Sequence, residues 1–191
     1  MERRYADLPN ELERRVRPLI LVDPRTSSLL VSAGPDDLKA IDLGTLRTLR
    51  GWGIETGLMG MPDVYDPAWA VSVDEAAMRQ CAPRRDDPWL LGYFIGNEPP
   101  WPHRELQLVN VILKGEATPM QAELMKYLEA GDTPERRIAF VYATYDKFIS
   151  TINAAVKRHD PNHLNLGLRF GGSAPDEIVM ASKGFDVFSF N

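Results

Sequence analysis

Residues 86–101 read DDPWLLGYFIGNEPPW, and no other stretch limits the fold so sharply. Residues 89–95 are a near-continuous apolar run, with Pro88 in front and Asn97, Glu98, Pro99 and Pro100 behind. A strand buried on both faces of a parallel sheet has this signature, because neither of its faces meets water. The run therefore predicts an α/β fold. Asn97 and Glu98 then fall where the strand leaves the sheet, the end at which α/β proteins place their ligands. Glu98 is the first candidate for chemistry.

The remaining segments supply the alternation that such a fold needs. Residues 1–35 read as a lead-in: a polar segment broken by Pro9 and Pro18, then Leu19, Ile20, Leu21 and Val22 as a first strand, then residues 27–32 (SSLLVS) as a second short strand of open placement. From Leu38, the residues Ile41, Leu43, Leu46 and Leu49 recur at helical spacing up to Gly51 and Gly53, and residues 54–59 (IETGLM) predict a strand. Residues 60–69 are rich in turn formers, and residues 73–80 support only a short helix. Residues 103–113 predict a helix ending at Gly115. Thr118, Pro119 and Gln121 form a helix start, with a capping threonine, proline at the first helical position and glutamine three residues after the cap. Gly131 stops that helix. Thr133, Pro134 and Glu135 open another, whose Ile138, Val141, Tyr145, Phe148, Ile152 and Val156 make a long apolar stripe. Residues 164–170 (LNLGLRF) predict a strand, residues 175–182 a short helix and residues 185–191 (FDVFSFN) a final strand. Strand, helices, strand, helix, strand is a parallel α/β order.

Charge and composition narrow the function. The 27 acidic and 22 basic residues give a net charge of −5, so there is no basic field to neutralise phosphates, and nucleic acid is not an expected partner. The single cysteine, Cys81, excludes an internal disulfide, and with three scattered histidines it offers no zinc spacing. It reads as a buried apolar residue, and no metal or cofactor is expected. The N-terminal MERRYADLPNELERR lacks the apolar core of a secretory signal, and no run approaches a membrane span. The chain as given is expected to be soluble, without a signal peptide and without a membrane partner.

Three parallel strands would bring Asn97 and Glu98, Arg169, and Asn191 to one rim. Taken singly, each has a plainer reading: an exposed acid, an ion-pair partner, a chain end. Their convergence is the argument for a site. Trp89, Tyr93, Phe94 and Trp101 offer apolar surface expected to raise the Glu98 pKa toward that of a general acid, and Trp101 is a candidate platform for a sugar ring. Trp89 reads as core.

LGYFIGNEP resembles the fourth-strand motif of retaining glycoside hydrolases with a (β/α)8 barrel, the clan A enzymes that include β-galactosidases, cellulases and β-agarases. DPNHLNLGLRF and FDVFSFN resemble the fifth and sixth strands of agarase-like members, and LRTLRGWGIETGLMG resembles their helix and second strand. The resemblance covers residues 36–191 and implies a glycoside hydrolase catalytic domain of TIM-barrel type, acting on β-linked poly- or oligosaccharides without a cofactor. Glu98 would be the acid/base and Asn97 the ligand of the sugar 2-hydroxyl, with Trp101, Arg169 and Asn191 binding substrate at the rim. Retention requires a second carboxyl group about 5–5.5 Å away, expected on the seventh strand. The chain stops after the sixth, so the barrel is expected to be incomplete, lacking strands 7 and 8, and its third strand is weak. Glu55, Asp63, Glu177 and Asp186 are not placed to serve as nucleophile. The alternative is a non-hydrolytic carbohydrate-binding remnant of such a barrel. Open barrel edges would favour self-association.

Overall fold

A computed structural model of the chain describes residues 19–23, 28–32, 46–88, 90–100 and 102–190, with residues 19–23, 28–32, Leu46 and Phe190 described by backbone alone. The chain divides into two units, residues 1–46 and 47–191. In the first, β1 (Leu19–Asp23) and β2 (Ser28–Ser32) form a two-stranded antiparallel sheet, Leu19 opposite Ser32 and Asp23 opposite Ser28. The predicted first strand is therefore present, and SSLLVS is its hairpin partner. Residues 1–18 of the expected lead-in lie outside the described residues.

The second unit is built on a sheet of order β3-β4-β5-β6: Leu46–Thr48, Gly92–Asn97, Leu164–Phe170 and Ser189–Phe190. β4, β5 and β6 run parallel. Much of the helix predicted from Leu38 lies outside the described residues, but its end does not: Leu46–Thr48 is a strand. Leu49 donates its backbone N–H to Phe94 O at 2.8 Å. Leu49, the last residue of the predicted apolar spacing, is buried from the extended segment that follows this strand. Residues 54–59 are turns, not a strand. Met59 (φ 50°) and Gly60 (φ 78°) take two successive left-handed conformations, and Met61 N–H closes on Leu58 O at 2.9 Å. An extended chain cannot hold two such residues.

α1 (Pro67–Cys81) is longer than the short helix predicted, because Asp66 caps it, accepting from Ala68 N–H at 2.8 Å, with Pro67 at the first helical position. α2 (Glu105–Lys114), α3 (Pro119–Leu128) and α4 (Pro134–His159) follow the expected order. The hydroxyls of Thr118 and Thr133 accept from the N–H groups of Gln121 (3.2 Å) and Arg136 (3.3 Å). The Gln121 amide does not reach back to its cap. It donates to the carbonyls of Ile112, Leu113 and Gly115 at 3.0–3.2 Å, tying down the last turn of α2. On α4 the stripe Val141, Tyr145, Phe148, Ile152 and Val156 is buried, widened by Phe140, Ile149 and Ala155, while Ile138 is only half-buried. It packs in one core with Trp69, Val73, Ala76 and Ala77 of α1 and with Tyr93 and Ile95 of β4. The Trp69 and Phe148 rings stack at 5.9 Å.

β4 starts at Gly92, three residues later than the apolar run, so Asn97 becomes its last residue. β5 matches its prediction, and α5 (Asp176–Ala181) occupies the middle of the predicted short helix. The final strand is two residues long instead of seven. Around Asp186 the pairing is irregular: its carboxylate accepts from Asn165 N–H (2.7 Å) and Lys157 Nζ (2.6 Å), while the N–H groups of Asp186 and Val187 both donate to the one carbonyl of Asn165. Among the described residues no helix is long and apolar enough to cross a membrane.

Candidate active site

The C-terminal ends of β4 and β5 meet in register, Asn97 opposite Arg169, and Glu98 N–H extends the ladder by donating to Arg169 O at 2.7 Å. Glu98 has φ 43°, a left-handed conformation that costs a non-glycine residue about 1–3 kcal/mol. The turn carries its side chain over Gly171, where a Cβ would stand 3.2 Å from Glu98 Cγ and 3.3 Å from Cδ. Glycine leaves the space that the carboxylate arm crosses. His103, also left-handed at φ 63°, donates its backbone N–H to Glu105 Oε1 (2.9 Å), and its ring Nε2 donates to Ser173 O at 2.8 Å. The buried Glu105 also faces the Tyr142 hydroxyl at 3.4 Å, and burial together with that charge pushes the phenol up to about 12. Residues 98–104 are thus fastened to residues 171–173. Between them lies a cleft of about 410 Å³ whose lining includes Glu98, Pro100, His103, Arg104, Phe170 and Gly171.

Of the predicted site residues, the fold brings together Asn97, Glu98 and Arg169. Asn97 and Glu98 are exposed. Arg169 lays its guanidinium over the Phe94 ring, Cζ 5.1 Å from the centroid, with its Nε buried and without a hydrogen-bond acceptor. Trp101, Asn191 and Trp89 lie outside the described residues. The expected aromatic enclosure of Glu98 is corrected at Tyr93, which turns to the helical side and donates its hydroxyl to Asp160 Oδ2 at 2.6 Å. Phe94 is occupied by Arg169 instead. The other acids have structural tasks or stand elsewhere. Asp63 accepts from the amides of Tyr65, Asp66 and Met120, Asp186 pairs with Lys157, Glu55 lies in a turn and Glu177 opens α5. Among the described lining residues, Glu98 is the one carboxylate. No described group of three or more His, Cys, Asp or Glu is placed to hold a metal ion. The sequence reading missed His103 and the 171–173 loop. The signals were the three prolines 99, 100 and 102 that stiffen the first loop and the Gly171-Gly172 pair that leaves room in the second.

A second polar cluster lies at the opposite, N-terminal ends of β4 and β5 and is closed. Asp160 Oδ2 accepts from Tyr93 and from His163 Nδ1 (2.7 Å), Oδ1 accepts from the amides of Asn162 and His163, and His163 Nε2 donates to Asp87 O at 2.9 Å. Burial works to raise the Asp160 pKa. The hydrogen bonds from Tyr93 and His163 outweigh it and hold the carboxyl below its usual range. Burial, aided by the hydrogen bond to Asp160, pushes the Tyr93 phenol well above its own range. Burial, aided by the Asp160 charge, pushes the Cys81 thiol up to about 12. This cluster anchors the sheet.

Comparison with known proteins relates the fold to one class. No protein-family model matches the chain. Over 72 residues it is 33% identical to beta-agarase A of Vibrio sp. (strain JT0107), a match that covers 37% of this chain and 7% of that protein. The structure of the agarase AgWH50C superposes with a TM-score of 0.60 at 23% identity, over 76% of this chain and 25% of that one. PfGH50B superposes with a TM-score of 0.59 at 26% identity, over 71% of this chain and 26% of that one. The chain spans about a quarter of the length of these structures. The class its fold is similar to is that of the glycoside hydrolases, of whose larger domain it resembles a part. Within that class the chain is agarase-like.

Proposed function

We propose that the chain is the acid/base-bearing part of a clan A (β/α)8 glycoside hydrolase that cleaves β-linked poly- or oligosaccharides with retention. One observation carries the reading: Asn97 and Glu98 leave β4 at its C-terminal end beside Arg169, with Glu98 turned out over Gly171 into a cleft. In this reading Glu98 protonates the glycosidic oxygen as the bond breaks and then takes a proton from the attacking water. Asn97 holds the sugar 2-hydroxyl, a bond that strengthens as charge develops in the transition state. Arg169, Trp101 and Asn191 contact substrate at the rim. The nucleophile belongs to the part of the relatives' fold that this chain does not span.

The test is release of reducing ends from agaro-oligosaccharides, measured beside binding of the same sugars by calorimetry. With the nucleophile-bearing part of the barrel supplied by a relative's domain, Glu98→Gln is expected to lower turnover by about 10²–10⁴ while leaving binding in place. A second reading rests on Glu98 being the one carboxylate lining the cleft: carbohydrate binding without hydrolysis. It is upheld if the protein so completed binds sugar without turnover and Glu98→Gln changes nothing measurable.

A further inference from the structure

Arg169 differs from the arginines of the second unit that hydrogen bonds hold in place. Arg84, Arg136, Arg137 and Arg158 all hydrogen-bond to carbonyls or carboxylates with their guanidinium groups. Arg169 has a ring for a neighbour in place of an acceptor. Its Nε is buried and unpaired, and leaving such a donor unmet works against folding. Groups of this kind in a folded protein call for an explanation, and function is one. The rest of the side chain is half-buried, and its two terminal nitrogens are not among the buried unpaired atoms. Contact with the Phe94 ring helps hold the guanidinium in place, and its terminal nitrogens offer the fork that matches a carboxylate or sulfate. Because it is carried by a strand, it holds its position more closely than a loop arginine would.

Resting on the reading of the rim as a carbohydrate site, we propose that Arg169 is an anion-binding subsite next to Glu98. The sugar it takes is an oligosaccharide carrying isolated carboxylate or sulfate groups on an otherwise neutral chain. Sparse charge follows from electrostatics. A net charge of −5 and the neighbouring Glu98 carboxylate repel a dense polyanion, while a single acidic substituent meets a fixed, desolvated cation at short range.

The experiment is calorimetric titration of the chain with two galactan oligosaccharides of equal length, one neutral and one bearing a single sulfate ester, at low and at physiological salt. The charged sugar is expected to bind about tenfold tighter or more at low salt, with the ratio falling as salt rises. Arg169→Met brings the ratio to about one, and Arg169→Lys keeps part of it. Phe94→Leu keeps the charge but removes its platform; it also lowers the ratio, and it serves if Arg169→Met does not fold. Equal affinity for the two sugars in the wild type overturns the subsite and leaves the carbohydrate reading standing. So does a ratio unchanged in the Arg169→Met and Phe94→Leu variants. Binding of neither sugar overturns both.

Discussion

Asp160 is the residue on which the lower end of the sheet hangs. It accepts from Tyr93 and His163 through one oxygen and from two backbone amides through the other. Asp160→Asn removes the charge but leaves these donors buried, and is expected to cost about 3 kcal/mol, read from the urea midpoint at neutral pH. The pH dependence has a definite sign. A carboxyl whose folded pKa lies below its unfolded value of about 3.9 adds stability that is complete above that value and is lost as pH falls through the folded pKa. The gap between wild type and Asp160→Asn should therefore close below pH ~4, and a gap that stays constant to low pH would reject this assignment. The sequence showed Asp160 only as part of a turn, because its hydroxyl donor lies 67 residues away. Glu98 was legible for the opposite reason: an uninterrupted apolar run has to end, and the first polar residues after it mark where. Its φ of 43° and its passage over Gly171 were not legible, since both depend on β5. Nor was the facing of Tyr93, because a run without polar residues carries no alternation to say which side chain points where.

Helices and strands differ in how much of them the chain writes locally. α3 and α4 were readable at their starts because a capping threonine and the proline after it act within one turn. Thr133→Ala should lower stability by about 1 kcal/mol, checked as a fall in the thermal midpoint, with the 26-residue helix otherwise intact. β3 and β6, three and two residues long, exist through their neighbours and carry no pattern of their own. The 54–61 turns misled for a related reason: aliphatic residues at that point pack as loop. Within β5, Gly167 sits at φ 69° beside a register shift, and a Cβ there would meet the Phe185 ring at 2.4 Å. Gly167→Ala is expected to cost about 2 kcal/mol or more and to shift the chemical shifts of the Phe185 ring. An alanine variant as stable as wild type would show that the strand has another way through.

At the scale of the second unit, β4 and β5 are buried or half-buried along nearly their whole length, with Asn97 at the end of β4 the exposed exception. Parallel sheets are ordinarily covered on both faces, and the burial of successive residues in both strands agrees with that. Self-association through open sheet edges is expected, visible as sedimentation that rises with concentration. Sharp unfolding of a monomer whose sedimentation is independent of concentration would exclude it. The chain's one thiol, Cys81, ends α1 against Tyr93, fully buried and with its pKa pushed up to about 12. At neutral pH it is neither reachable nor ionised while the fold is closed, so a thiol-blocking reagent reacts only in the intervals when the anchored end of the sheet comes open. The molecule thus carries its own clock. The slow rate at which Cys81 is blocked in native buffer counts those openings, and the same rate in Asp160→Asn says how much faster the anchor then lets go.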